Sequence, residues 1–167
     1  MIDIVQFEIS GVNYALDIQM TREIVEMMPI TPVPRAPEYI AGIINLRGEI
    51  TNILSLNYLM GLPVEERDDK KIIVLAPDAT EGSNVGLIVD DVHSVRRISE
   101  DSVDQIDNSL SREAYVKGVI KIGKEDGGKD ENSGDYLIIW VDIAKILYDI
   151  LVRGNNSNGA AKPAQSP

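Results

Sequence analysis

Polar and apolar positions alternate from the start of the chain: Val5, Phe7 and Ile9 interleave with Gln6 and Glu8. Period two predicts a half-buried strand. Ser10-Gly11 breaks the run, and Val12, Tyr14, Leu16 and Ile18 resume it, which is the pattern of a hairpin. "TREIVEMM" (21–28) suits a helical turn or a strand equally. Pro29, Pro32, Pro34 and Pro37 follow, and proline fixes φ and lacks an amide donor. Residues 29–37 are therefore expected to be a rigid extended connection outside any sheet interior, rather than a ligand for a proline-binding groove. "AGIINLRGEITNIL" (41–54) reads as two strands that reverse near Arg47-Gly48.

Beyond this hairpin the period changes. Leu56, Leu59 and Met60 share one helical face, with Ser55 placed to cap the start, Gly61 to end the helix and Pro63 beyond it. "VEERDDKK" is a charged loop, and the region 63–70 is the expected link between two halves. "KIIVLAP", "NVGLIVDDV", "HSVRRIS", "YVKGVIKI" and "DYLIIWVDI" read as further strands. A helix is expected from about Asp142, where Ile143, Ile146, Leu147, Ile150 and Leu151 form one stripe and Gly154 stops it. That stripe is expected to pack on its own barrel. Many short strands with few helices indicate barrels or a sandwich rather than a parallel sheet with crossover helices. Strand-rich patterns on both sides of 63–70 fit two small barrels. Residues 153–167 are polar, with Pro and Gly, and are expected to be a disordered tail.

Composition narrows the picture. A chain of 167 residues is one domain or two closely joined halves. With 44% apolar but only 5% aromatic residues, the core must be aliphatic, which favours strands. The net charge is −11, and because the tail holds Arg153 and Lys162 without an acid, the rest carries −13. Such a surface repels phosphate backbones and anionic lipid, so neither nucleic acid nor a membrane surface is an expected partner. There is no cysteine, which excludes disulfides and thiolate chemistry. The first residues lack the basic leader and apolar run of a signal peptide, and no stretch nears the ~20 apolar residues that span a bilayer. A soluble cytoplasmic protein is expected.

A search for catalytic chemistry ends without a constellation. His93 is the sole histidine, lies in a strand-like run, and is expected half-exposed. There is no G-x-S-x-G elbow, Walker loop or G-x-G-x-x-G. The loop from Asp130 puts Asp130 and Asn132 at positions 1 and 3 of a calcium loop, but Gly134 stands at position 5, Asp135 where glycine is required and Val141 where glutamate is. Asp90-Asp91 and Arg96-Arg97 are adjacent pairs, and on a strand each pair splits across the two faces. No cofactor, no metal and no enzymatic activity are expected. What remains is an interaction protein.

The stretches "VQFEISGVNYALDIQMTREIVEM", "ITPVPRAPEYIAGIINLRGEI", "VGLIVDDVHSV", "YVKGVIKI" and "YLIIWVDI" resemble the CheW family of chemotaxis coupling proteins. The spacing of Glu23, Gly42, Asn45, Leu46, Arg47 and Gly48 carries the resemblance, shared with the regulatory domain of the CheA kinase. It covers about Val5 to Leu151. It implies a CheW-like domain over 1–152, mainly β, made of two packed five-stranded SH3-like barrels with short helices and a C-terminal helix. It implies a non-enzymatic adaptor, monomeric on its own, that bridges the cytoplasmic tips of methyl-accepting chemoreceptors to the CheA regulatory domain. The apolar surface between the barrels would receive the receptor helix hairpin, and a patch on the first barrel would meet CheA. Where the family commonly has a proline and Asp-Leu-Arg, this chain has Asn52 and Ser55-Leu56-Asn57. Two alternatives stay open: a free-standing relative of the CheA regulatory domain that competes for receptor tips, and a small-ligand sensor on paired barrels.

The charged break inside "NLRGEI" then has a reason. Glycine at 48 suits a reversal that needs positive φ. Arg47 is costly to bury alone, and the resemblance offers Glu23 as its carboxylate. The pair either fixes the first barrel or shapes its partner-facing surface. Thr21, Glu23, Ile24, Gly42, Ile43, Asn45, Leu46, Arg47 and Gly48 are the expected partner-binding residues. Ile24, Ile43 and Ile44 also fit a core role, as isoleucines commonly do.

Overall fold

The computed structural model describes residues 1–105, 115–123 and 135–150. The chain is mainly β, as expected, with two sheets. Its strands are β1 (Ile2–Ile9), β2 (Val12–Asp17), β3 (Thr21–Glu26), β4 (Ile40–Leu46), β5 (Glu49–Ser55), β6 (Lys71–Leu75), β7 (Val85–Val89), β8 (Asp91–Ile98), β9 (Val103–Asp104), β10 (Val116–Ile122) and β11 (Tyr136–Val141). Helix α1 is Leu56–Met60, and α2 spans 143–150. The ambiguous segment at 21–28 is thus a strand, and the proline segment lies outside the strands, touching β4 through one bridge, Thr31 with Ile43.

One sheet is six-stranded, in the order β8-β1-β2-β11-β10-β9, and the other five-stranded, β3-β6-β7-β5-β4. The first sheet therefore exceeds the expected five strands, through the two-residue β9. The division of the chain also differs from the expected one. Residues 63–70 do not separate the halves, because β6 on their far side pairs with β3 and with β7 inside the second sheet. The second sheet is instead an insertion, entered at 18–20 and left at Asp90, between strands that belong to the first. A charged run reports solvent exposure, which a surface loop within a barrel shares with a linker between domains.

Three apolar clusters result among the described residues. Ile4, Ala15, Ile98, Ile120, Ile122 and Ile138 fill the first barrel. Ile44, Ile53, Ile72 and Val74 fill the second. The third is the largest and joins them: Phe7, Leu16 and Val141 of one sheet meet Ile73, Leu75 and Leu87 of the other, with Ile143, Ile146 and Leu147 of α2 packed alongside. The last three confirm the helical stripe; Leu151, Gly154 and the tail lie outside the described residues. Asp142 holds the start of α2 by accepting the Lys145 amide at 3.1 Å. Ser55 does not cap α1 in this way, since its hydroxyl makes no capping bond, whereas Gly61 ends that helix at φ 68 as expected.

Strand β1 is buried on both faces for much of its length, not half-buried, because it lies between β8 and β2 and serves two clusters. Gln6 is consequently 5% exposed. Its amide is satisfied by Asn13 at 3.1 Å and by Arg96 at 3.2 Å, and Arg96 also reaches the Tyr136 hydroxyl at 3.1 Å. Buried polar groups are tolerated when bonded in this manner. At the entry crossover, Asp17 accepts from Trp140 at 2.5 Å and from Lys117 at 3.1 Å. At the exit crossover, Asp90 accepts the Ser10 amide at 2.7 Å.

Candidate functional site

The β4–β5 hairpin turns on two residues. Leu46 and Glu49 are the last pair, and Arg47 (φ 53) and Gly48 (φ 84) both adopt positive φ between them. Two left-handed residues match the twist of a tight hairpin. Glycine takes this geometry freely, while an L-residue gives up roughly 1–2 kcal/mol. Asn45 supports the turn, its Oδ1 accepting the Gly48 amide at 2.9 Å. The outcome is a guanidinium set at a fixed place beyond the strand ends.

That guanidinium meets Glu23 in two parallel bonds, of 2.8 Å and 2.5 Å. The expected pair is therefore present. Glu23 lies on β3, whereas Arg47 follows β4, and these strands are opposite ends of the sheet order. An ion pair across the two ends means that the sheet has curled until its edges meet. A second pair, Arg22 with Glu49 at 3.7 Å, crosses the same seam with the charges reversed between strands. The side chain of Glu23 is 20% exposed and that of Arg47 67% exposed. An exposed pair is screened and contributes ~0–1 kcal/mol. The clusters beneath, at roughly 1.5–3 kcal/mol for each fully buried aliphatic side chain, dominate stability. The seam orients charge more than it holds the barrel.

The other expected residues separate by surroundings. Ile24 is 42% exposed on the outer face of β3, so it is not core. Ile44 is buried, and Ile43 is half-buried and bonded through its backbone to Thr31. Gly42 has φ 147, and a Cβ there would stand 2.3 Å from the Thr31 carbonyl oxygen. Its glycine admits the crossing chain and presents nothing to a partner. Leu46 packs on the second barrel's core, and the Thr21 hydroxyl is buried without a bond among the described residues. Ile24, Asn45, Arg47 and Gly48 thus reach the surface, while Thr21, Gly42 and Leu46 shape it.

Sequence reasoning missed Ile50. It is 59% exposed and pairs with Asn45 across the hairpin. Its position was legible, since alternation along β5 puts it opposite buried Thr51 and Ile53. The surface expected between the barrels is largely taken up by the chain itself, in the third cluster. A rim of partly buried apolar residues remains around it, including Met20, Tyr39, Leu59, Met60 and Val92.

Several other charged groups are paired locally. His93 is half-exposed beside Glu8 at 3.1 Å, as expected of it. Arg97 bonds to Asp3 and holds that carboxyl below its ordinary range. Glu26 raises Lys71 in the same manner. Burial pushes the Tyr14 phenol up. Among the described residues, no three His, Cys, Asp or Glu side chains gather as metal ligands, and no helix is long and apolar enough to cross a membrane. Of the calcium-like reading from Asp130 to Val141, residues 130–134 lie outside the described residues, and Tyr136–Val141 are strand β11.

Two curled sheets around a shared core, with an oriented ion pair on an exposed seam, define a paired-barrel protein of the binding-module type. Comparison with known proteins gives the family. The model of the CheW-like domain matches residues 3–151. The chain is 34% identical over 151 residues to the chemotaxis protein CheW of Thermotoga maritima, covering 90% of this chain and 91% of that one. It is 33% identical over 118 residues to CheW of Bacillus subtilis, covering 66% and 74%. The crystal structure of the scaffolding protein TtCheW from Thermoanaerobacter tengcongensis superposes with a TM-score of 0.64 at 33% identity, over 84% of this chain and 88% of that one. The chain belongs to the CheW family, and its two sheets are SH3-like β domains.

Proposed function

We propose that this protein is a non-enzymatic chemotaxis adaptor that couples the cytoplasmic tips of chemoreceptors to the histidine kinase CheA, so that receptor state controls kinase activity. Its place of action is then the cytoplasm, at receptor arrays on the inner face of the membrane. One observation supports this above the rest: Arg47 accepts a strained backbone angle to hold an exposed guanidinium against Glu23, where the return in stability is small. Strain kept without stabilisation is a mark of functional positions. Arg47, Asn45 and Ile24 would touch a partner. Glu23 would orient Arg47, and Thr21, Gly42, Ile43, Leu46 and Gly48 would shape the same face. The partly buried rim around the inter-sheet cluster suits an apolar receptor helix.

The experiment is a pull-down of the full chain with purified CheA regulatory domain and a receptor cytoplasmic fragment, each alone and together. Capture of both, with a ternary complex, is the expected result. Capture of receptor without kinase would favour a competitor of the regulatory domain. Capture of neither would overturn the adaptor reading.

A further inference from the structure

A pocket of about 420 Å³ opens between α1, the start of β4 and the 63–70 loop. Its floor is apolar: Met27, Ala41 and Ile88 line it while packing on the second barrel's core. Tyr58 and Val64 stand at its sides, 52% and 46% exposed. Its rim is acidic. Glu38, Glu65, Glu66 and Asp68 all line it, and none has an ion-pair partner among the described residues. The two cations of the rim have their main partners elsewhere, although Glu65 also attracts Arg67. Arg67 bonds to Asp69 at 2.9 and 3.0 Å, and Lys70 faces Asp90 at 3.6 Å.

One polar group inside the pocket lacks a partner. Ser55 lines it and is 8% exposed, and its hydroxyl, which does not cap α1, makes no hydrogen bond among the described residues. Its oxygen is not sealed from solvent and is free to accept from a group that enters the pocket.

We propose that this pocket receives an arginine side chain presented by a segment of a partner protein. The aliphatic stem of arginine suits the Met27, Ala41 and Ile88 floor. Its guanidinium carries five donors, which match several carboxylates and the Ser55 oxygen better than the compact ammonium of lysine does. The exposed Tyr58 ring gives the planar cation a face to stack on. An acidic side chain would be repelled by the rim, and a purely apolar one would leave Ser55 unbonded. The proposal concerns a face apart from the Glu23–Arg47 seam and does not depend on which partner supplies the arginine.

The test uses the full chain, labelled with 15N, and the peptide acetyl-Leu-Arg-Leu-amide, with citrulline in place of arginine as the uncharged counterpart. Amide shifts should appear at Ala41, Ser55, Tyr58 and Ile88 with the arginine peptide. Citrulline should bind at least several-fold more weakly. Raising salt from about 50 to about 500 mM should weaken the arginine peptide alone. Glu66→Lys, an exposed change that leaves the core intact, should abolish the shifts, and Ser55→Ala should reduce them. Equal binding of the citrulline peptide, shifts elsewhere, or none at the pocket up to ~10 mM peptide would overturn the proposal.

Discussion

Lys70 and Asp90 face each other at 3.6 Å, with 9% and 1% of their side chains exposed, where the chain leaves the second sheet for the first. The other Asp90 oxygen takes the Ser10 amide from the β1–β2 turn. Ser10 in turn donates its hydroxyl to the Pro63 carbonyl at 3.0 Å. One carboxylate therefore ties together β6's approach, the exit crossover and a hairpin of the opposite barrel. Asp90→Ala would strand a buried ammonium, and breaking such a pair costs ~3–5 kcal/mol. Thermal unfolding should fall by roughly 6–20 °C, at about 2–4 °C for each kcal/mol in a chain of this size. A loss under about 2 °C would mean that water already serves Lys70.

Gly42 makes a second stability prediction. Its Cβ would overlap a backbone oxygen rather than a flexible side-chain end, so relief requires the 30–31 segment to move. Overpacking of this kind costs ~1–3 kcal/mol. Gly42→Ala should lower the melting temperature by roughly 2–12 °C, and Thr31 and Ile43 amides should exchange faster with solvent. An unchanged melting temperature would contradict the close approach.

Tyr14 sets an alkaline limit. Its ring packs on Phe7 with centroids 5.9 Å apart, and burial raises its pKa above the ordinary value of 10.0. The folded state then holds the phenol proton more tightly than the unfolded state does. Stability from this group is full below pH 10 and falls as pH rises above it. Denaturant midpoints should decline above pH 10, and Tyr14→Phe should reduce that decline while leaving neutral pH little changed. An equal alkaline decline in Tyr14→Phe would assign it to other groups.

Much of the strand content was legible because its signals are local. Alternation in Val5–Ile9 and the Ser10-Gly11 and Arg47-Gly48 breaks act over a few residues, and the hairpins follow from them. Sheet membership was not local. β1 pairs with β8 some ninety residues on, as the Gln6–Arg96 bond shows, and no loop composition announces that. The buried polar residues Gln6, Asn57 and Asp90 escaped for the same reason, since their burial depends on partners outside their own strand or helix; Asn57, for example, donates to the Pro63 carbonyl at 2.5 Å. At the seam, family spacing brought Glu23 to Arg47, whereas the positive φ of Arg47 and the exposure of Ile50 needed the folded chain.

The most direct test of the adaptor reading is CheA autophosphorylation reconstituted with a receptor fragment and this chain, comparing wild type, Arg47→Glu, and Arg47→Glu with Glu23→Arg. Because the seam pair is exposed and contributes ~0–1 kcal/mol, Arg47→Glu should keep its circular dichroism spectrum and melt within about 2–4 °C of wild type. Receptor control of the kinase should nevertheless be lost, since like charges on a contact surface cost affinity, and the reversed pair should restore part of it. A folded Arg47→Glu protein that supports full receptor control would contradict the role given to the seam.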